Sequence, residues 1–165
     1  AGSSIRYGYI NVAEAVTQGG ELNLIADAWT GFTASAGYSF SHTLNVEQDR
    51  PLEGRPVHRV SGELVQRFEA TGSQASLRGS WSSAKAFFVD ADGDGEDERL
   101  NSPPATLLDA KISQDIGLSR AGLRMFVGVD NILSEGDPDF LPVPPRTYFL
   151  GLTGRYPIQP SAGAQ

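Results

Sequence analysis

The amino-acid sequence predicts an all-β fold of about eight antiparallel strands, of the kind that forms a transmembrane β-barrel. Apolar and polar residues alternate with period two over segment after segment, which places them on opposite faces of a strand. The links between these segments alternate between short and long. No stretch approaches the roughly eighteen consecutive apolar residues that a membrane-spanning helix requires.

The clearest predicted strand covers residues 31–44. Its apolar residues share one face, and they are Phe32, Ala34, Ala36, Tyr38, Phe40 and Leu44. The strand before it covers residues 21–29 and places Leu22 opposite Asn23. The two-residue link Thr30-Gly31 between them is typical of a tight β-hairpin.

Six further segments show the same alternation. They are residues 4–11, 59–68, 75–89, 106–116, 122–132 and 146–156. In the segment 122–132, Leu123 and Val127 share a face opposite Arg124 and Asp130. We therefore expect one apolar and one polar face on each strand. The charged residues expected to point inward are Arg59, Glu63, Arg67, Asp109, Lys111, Asp115 and Arg124.

Link lengths indicate which rim of the barrel each connection occupies. The short links are residues 30–31, 70–74 and 117–121, and the long links are residues 12–20, 45–58, 90–105 and 133–145. Short turns on one rim and long loops on the other are typical of bacterial outer-membrane barrels. Aromatic residues near the strand ends match interfacial girdles, and they are Tyr7, Tyr9, Trp29, Phe32, Trp81, Phe87, Tyr148 and Tyr156. A soluble barrel with its apolar faces turned inward is the alternative.

Charge and composition exclude some functions. The formal net charge is −7, and no cluster of Lys or Arg offers a basic surface, so we do not expect a nucleic-acid partner. The chain has no cysteine and hence no thiol chemistry or disulfide framework. Its first residues lack the charged and apolar regions of an export signal, which we expect to have been removed or to lie elsewhere.

Four groups of residues, in this order, resemble the last third of the barrel of TonB-dependent outer-membrane receptors. They are Tyr9-Ile10-Asn11 with Ala15 and Gly20-Glu21-Leu22, Pro51-Leu52-Glu53-Gly54-Arg55-Pro56-Val57-His58-Arg59, Gly128-Val129-Asp130-Asn131-Ile132-Leu133, and Arg146-Thr147-Tyr148-Phe149-Leu150-Gly151-Leu152. The resemblance covers nearly the whole chain. It implies a 22-stranded barrel in the bacterial outer membrane that holds an N-terminal plug and takes up a scarce nutrient, such as a chelated metal or a glycan.

The partners implied by this resemblance are membrane lipid, the remainder of the barrel and the plug, and the inner-membrane TonB complex that acts through the plug. Neither the plug nor the energy-coupling box is visible in the sequence. Residues 1–156 are predicted to form the C-terminal barrel segment, and residues 157–165 a disordered or extended tail. The family usually ends on the aromatic residue that Tyr156 would supply, so the tail with Pro157 departs from the pattern.

One loop has the spacing of a calcium site. Asp90, Asp92 and Asp94 occupy positions one, three and five of an EF-hand loop, Gly95 occupies position six and Glu98 position nine. The bidentate glutamate expected at position twelve is replaced by an asparagine, and the flanking segments are predicted strands. Weak calcium binding and a solvated acidic loop are the two interpretations, and no other cofactor is expected.

The sequence does not predict an enzyme. His42 and His58 flank the same predicted loop, so a Ser/His/acid set at the rim is conceivable, but no nucleophile motif accompanies them. We expect His58 and Asn131 to anchor loops by hydrogen bonds. An alternative to the receptor is a self-closed eight-stranded barrel that acts as an anchor or structural protein.

Overall fold

The computed structural model describes residues 14–118 and 121–155. All elements in these residues are β-strands, which confirms the predicted all-β class. They are β1 (Ala15–Trp29), β2 (Phe32–Asn45), β3 (His58–Phe68), β4 (Ser73–Ser82), β5 (Ala86–Val89), β6 (Glu98–Asn101), β7 (Ala105–Leu118), β8 (Ala121–Asp130) and β9 (Thr147–Arg155). Over the same residues, no helix has the length and apolar character needed to cross a membrane.

Seven of the strands form one antiparallel sheet in the order β1-β2-β3-β4-β7-β8-β9. The remaining two, β5 and β6, pair only with each other and form a hairpin in the connection from β4 to β7. The predicted strand at residues 75–89 is therefore wrong in its second half. The wall strand ends at Ser82, and the amide of Ser83 makes one more bond to β3 by donating to the carbonyl of His58 (2.9 Å).

The predicted loop at residues 12–20 is a second error, because β1 begins at Ala15. Gly19 and Gly20 are typical of a turn, yet they lie in the ladder opposite Ser41 and Phe40. A side chain at Gly19 would overlap the carbonyl of Phe40, so the glycine permits this close strand approach. The predicted strand at residues 4–11, Tyr156 and the tail at residues 157–165 lie outside the described residues.

The strand connections separate onto two rims, as their lengths predict. The turns after β1 and β3 and the paired ends of β7 and β8, Leu118 and Ala121, lie on one end of the sheet, here called the turn rim. The other end, the loop rim, has three long loops, defined as L1 (residues 46–57), L2 (residues 83–104, which include the β5–β6 hairpin) and L3 (residues 131–146).

One face of the sheet is apolar and exposed. Strand register aligns Leu64, Leu77 and Ala110 in one row, and Ile112, Val127 and Leu150 in the next. Leu64 is 43% exposed and Val127 is 55% exposed, whereas Ala86 is the one buried hydrophobic residue among those described. A face of this kind without a core beneath it requires apolar surroundings, which membrane lipid provides.

Aromatic residues border this apolar face at both rims. Tyr38, Phe40 and Trp81 stand near the loop rim, and Trp29 and Phe32 stack at the turn rim with 4.1 Å between ring centroids. A register shift between Asp27 and Trp29 turns the tryptophan to the apolar side. From Phe32 to Phe40 the strand rises about 27 Å, at roughly 3.4 Å per residue, which is comparable to the ~25 Å apolar band of such barrels.

Three of the predicted girdle residues, Tyr7, Tyr9 and Tyr156, lie outside the described residues. The prediction that Phe87 belongs to an aromatic girdle of the wall is wrong, because Phe87 lies in the β5–β6 hairpin.

The opposite face is polar, and the seven charged residues predicted to share it do so by register. Arg78 pairs with Glu63 (Nη2 to Oε1, 3.3 Å), and Arg124 donates to both carboxylate oxygens of Asp115 (Nη2 to Oδ2, 2.8 Å). Between the charges stand small residues such as Gly37 and Ser61. This face has the character of a barrel interior that borders water or a plug.

Two phenylalanines on the polar face cover glycines of the neighbouring strand. Phe126 of β8 lies opposite Gly151 of β9, and Phe149 lies opposite Gly128. A Cβ atom at either glycine would overlap the ring across from it. The rings therefore occupy the space that the two glycines leave open, and they tie β8 to β9.

The two faces predict opposite responses to arginine. We expect Val127→Arg to lower the free energy of unfolding in lipid vesicles by about 2–4 kcal/mol, since it buries a charge in lipid. Ser39→Arg on the polar face serves as the control and is expected to change stability little. Equal losses in the two variants, measured by denaturant titration, would contradict the assignment of the faces.

Candidate functional site

The three loops of the loop rim contact one another and form the candidate site. Arg50 joins L1 to L2, because its Nη1 donates to Asp97 Oδ2 at 2.6 Å and its guanidinium lies 4.2 Å from the centre of the Phe88 ring. The amide of Gly54 in L1 also donates to the carbonyl of Ala86 in L2 (3.0 Å). L1 is thus attached to the β5–β6 hairpin by an ion pair, a cation–π contact and a backbone hydrogen bond.

L2 is attached in turn to L3. Phe87 of β5 packs against Phe140 of L3 with 5.0 Å between ring centroids. At the base of the hairpin, buried Ser102 bonds Lys85 twice, since its amide donates to the lysine carbonyl and its Oγ accepts from the lysine amide. The rim is therefore one connected surface rather than three independent loops.

Each loop also has a polar anchor at its base. Asn131 has a φ of 52° and is 6% exposed, and its Nδ2 donates to the carbonyls of Glu135 (2.6 Å) and Pro144 (3.0 Å). The expectation that Asn131 ties the loop to its own backbone is confirmed. At the base of L1, buried Thr43 of β2 accepts the amide of Leu52 through Oγ1 (3.2 Å).

The two histidines lie on the apolar side of the wall. His58 Nδ1 is hydrogen-bonded to the hydroxyl of Tyr38 (2.8 Å), and the backbone of His58 bonds Ser83 at the start of L2. The backbone of His58 therefore anchors the start of L2, whereas its side chain joins β3 to β2 rather than to a loop. His42 stands in β2 opposite Gln18. This placement brings neither ring into a cleft where a reaction could be enclosed.

The acidic loop at the tip of L2 brings together three of its four predicted ligands. Carboxylate oxygens of Asp90, Asp92 and Asp94 lie within 4.8 Å of one another. Asp90 accepts the amides of Gly93 (2.7 Å) and Gly95 (3.1 Å), which hold the loop in a tight curve with a positive φ at both glycines. The fourth predicted ligand, Glu98, lies in β6 opposite Val89 and outside this group.

A cavity of about 410 Å³, which we call the rim cavity, lies on the polar face just below L1. The strands β1, β2 and β3 and the end of L1 form its walls. Its polar lining residues are Thr17, Glu21, Ser39, Ser41, Arg55 and Arg59. Period-two spacing predicts that four of these, Glu21, Ser39, Ser41 and Arg59, share one face. The cavity itself was not predicted, because β1 was expected to start at residue 21 and the sequence does not show the path of L1.

Comparison with known proteins identified one family. The family model described as TonB dependent receptor-like, beta-barrel matches residues 1–132 of the 165-residue chain. A search of curated proteins gave no match.

The Arg50 contacts predict that L2 loses order when they are removed. We expect Arg50→Ala to accelerate hydrogen exchange across residues 86–101, and a double-mutant cycle with Asp97→Ala to give a coupling on the order of 1 kcal/mol. Arg99→Ala is the control, because the Arg99 guanidinium bonds Asn101 within the same strand (3.2 Å). Unchanged exchange in Arg50→Ala would show that these contacts do not hold L2.

Proposed function

Because the chain belongs to the TonB-dependent receptor β-barrel family, we propose that it builds part of the wall of a receptor that takes up a scarce nutrient, such as a chelated metal or a glycan. The family consists of bacterial outer-membrane transporters rather than enzymes, so the chain is a component of an outer-membrane receptor. The observation that supports the proposal is a sheet with an exposed apolar face, a polar face and connected loops on one rim.

The proposed partners follow from the two edges of the sheet. Among the described residues, β1 pairs only with β2 and β9 only with β8. Every backbone donor and acceptor must be paired inside a bilayer, so the outer edge of β9 needs a strand from beyond the described residues. We assign this strand to the rest of a larger barrel of about 22 strands, with a plug that engages the inner-membrane TonB complex.

The polar face favours a wide lumen over a small closed barrel. An eight-stranded barrel must fill its own interior with side chains. Here, small residues such as Ser35, Gly37 and Ser61 form a large part of the face. The Arg78 and Glu63 side chains that pair across it are 68% and 37% exposed. A self-closed barrel acting as an anchor stays the second candidate, since the predicted strand at residues 4–11 lies outside the described residues.

Introduced cysteines test closure, since the chain has none of its own. In a self-closed barrel, cysteine pairs that join residues 5–10 to β9 would form disulfides, because their Cα atoms would lie within about 7 Å. We expect no such crosslink within the chain in outer-membrane fractions. The control pair, Met125→Cys with Leu152→Cys, occupies facing positions of β8 and β9 and should crosslink. Efficient crosslinking of residues 5–10 to β9 would replace the receptor proposal by the anchor.

We also propose that the acidic loop binds calcium weakly. Three carboxylates that converge within 4.8 Å, at alternate positions of a loop with a glycine at position six, supply the oxygen ligands that a hard cation prefers. The position of Glu98 in β6 and the asparagine at position twelve argue for fewer protein ligands than a complete EF-hand has, and therefore for low affinity.

Calorimetry with calcium tests this site. We expect weak binding that disappears in the variant Asp90→Asn, Asp92→Asn, Asp94→Asn. A control variant removes three other exposed loop charges, Glu47→Gln, Asp49→Asn and Glu135→Gln, and is expected to bind calcium like the original chain. Absence of heat at millimolar calcium would reduce the loop to a solvated turn.

A further inference from the structure

The two histidines of the chain stand on either side of L1 and on the same side of the wall. His58 is the first residue of β3 and pairs with Phe40 in the register. His42 lies two residues beyond Phe40 in β2, so alternation places it on the same face. The amide of Ser41 donates to the carbonyl of Val57 (2.9 Å), which keeps the two chains adjacent beyond the last pair. His42 and His58 are therefore diagonal neighbours, with Cβ atoms about 7 Å apart.

Contacts with two aromatic residues hold the ring of His58 in place. Its Nδ1 is hydrogen-bonded to the hydroxyl of Tyr38 (2.8 Å), and its ring centre lies 5.5 Å from that of Phe40. When Nδ1 carries the proton, it donates to the hydroxyl oxygen and leaves the lone pair of Nε2 free. Histidines that bind metals usually donate their other ring N–H to an oxygen in this way, which fixes the tautomer and the orientation of the ring.

The remaining ring nitrogens are available to a ligand. Among residues 14–118 and 121–155, no hydrogen bond or ion pair involves the ring of His42 or the Nε2 atom of His58. His42 is exposed, so its ring can turn toward His58 without giving up a contact. The residue that faces His42 from β1 is the neutral Gln18, so no cationic side chain in that position repels a metal ion.

We propose that His42 and His58 form a binding site for a divalent transition metal, of the group Ni²⁺, Cu²⁺ and Zn²⁺. Imidazole nitrogen is a preferred ligand of these ions, and an ion held about 2 Å from each nitrogen can be shared by two diagonal neighbours. Two protein ligands leave the other coordination positions to water, so the affinity is moderate. The bound ion joins β2 to β3 at the base of L1, where strand pairing has ended.

This site goes beyond the proposed receptor function. It lies on the apolar side of the wall, whereas the lumen borders the polar face, so an ion held there is not on the path of a nutrient. Its role is to fix the base of L1 from outside the barrel.

Copper titration followed by electron paramagnetic resonance tests the site, with the receptor purified from outer membranes and stripped of metal by a chelator. Copper is the probe because it binds nitrogen ligands most tightly among these ions. We expect a Cu²⁺ spectrum with couplings to two imidazole nitrogens, which both His42→Gln and His58→Gln remove. Tyr38→Phe, which deletes the bond to Nδ1 of His58, should weaken binding about tenfold or more. Ser41→Ala is the control, because Ser41 adjoins His42 but faces the polar side, and it should bind copper unchanged.

His42→Gln is the decisive variant, because the ring of His42 makes no hydrogen bond within the described residues whose loss could disturb folding. The proposal is overturned if this variant, inserted in the outer membrane, binds copper with the affinity and spectrum of the original receptor. An original receptor that shows only oxygen ligands to copper overturns it as well.

Hydrogen exchange with Zn²⁺ gives a second readout. We expect Zn²⁺ to slow exchange across residues 43–57 in the original receptor and to leave it unchanged in His42→Gln, since only the former can hold an ion across the base of L1. Equal exchange with and without Zn²⁺ in the original receptor would show that no ion joins β2 to β3 there.

Discussion

Backbone hydrogen bonding along the seven-stranded sheet is the constraint on which the rest of this structure depends. Most large apolar side chains lie on the apolar face, and Ala86 is the one buried hydrophobic residue among those described, so no packed core holds the strands together. Continuous ladders from β1 to β9 supply that cohesion instead. Inside a bilayer there is no water to replace a lost backbone hydrogen bond, so an unpaired backbone group is costly there. The strand pairing is therefore most important in the part of the sheet that lies within the membrane.

The wall and the loop rim of this chain depend on different kinds of interaction. The wall needs only alternation and register, whereas the loop rim is built from specific contacts such as Arg50 with Asp97 and Phe87 with Phe140. Polar anchors such as Asn131 stand where the two meet, and they satisfy the backbone of the emerging loop without further strand pairing. Loop chemistry can therefore change while the wall keeps its geometry.

Sequence periodicity predicted the wall well, because the alternation of side chains between the two faces follows from the local geometry of each strand. The faces of β2 and β3 follow directly from alternation, and the outward position of residues such as Leu64 follows with them. The errors arose where tertiary contacts override local preference, as at Gly19, whose missing side chain serves strand approach rather than a turn. The rim cavity was not predictable, since Arg55 reaches it only through the path of L1, which no periodicity describes.

The contacts of Phe126 with Gly151 and of Phe149 with Gly128 bear on the dimensions that a barrel closed from this sheet would have. A slip of two residues in either direction would set at least one phenylalanine opposite a residue other than glycine, so the stagger between β8 and β9 is held at a single value. Stagger summed around a closed sheet is its shear, which together with the strand number determines strand tilt and radius. In a barrel closed from these strands, the two glycines on the inner face would thus help to set the radius.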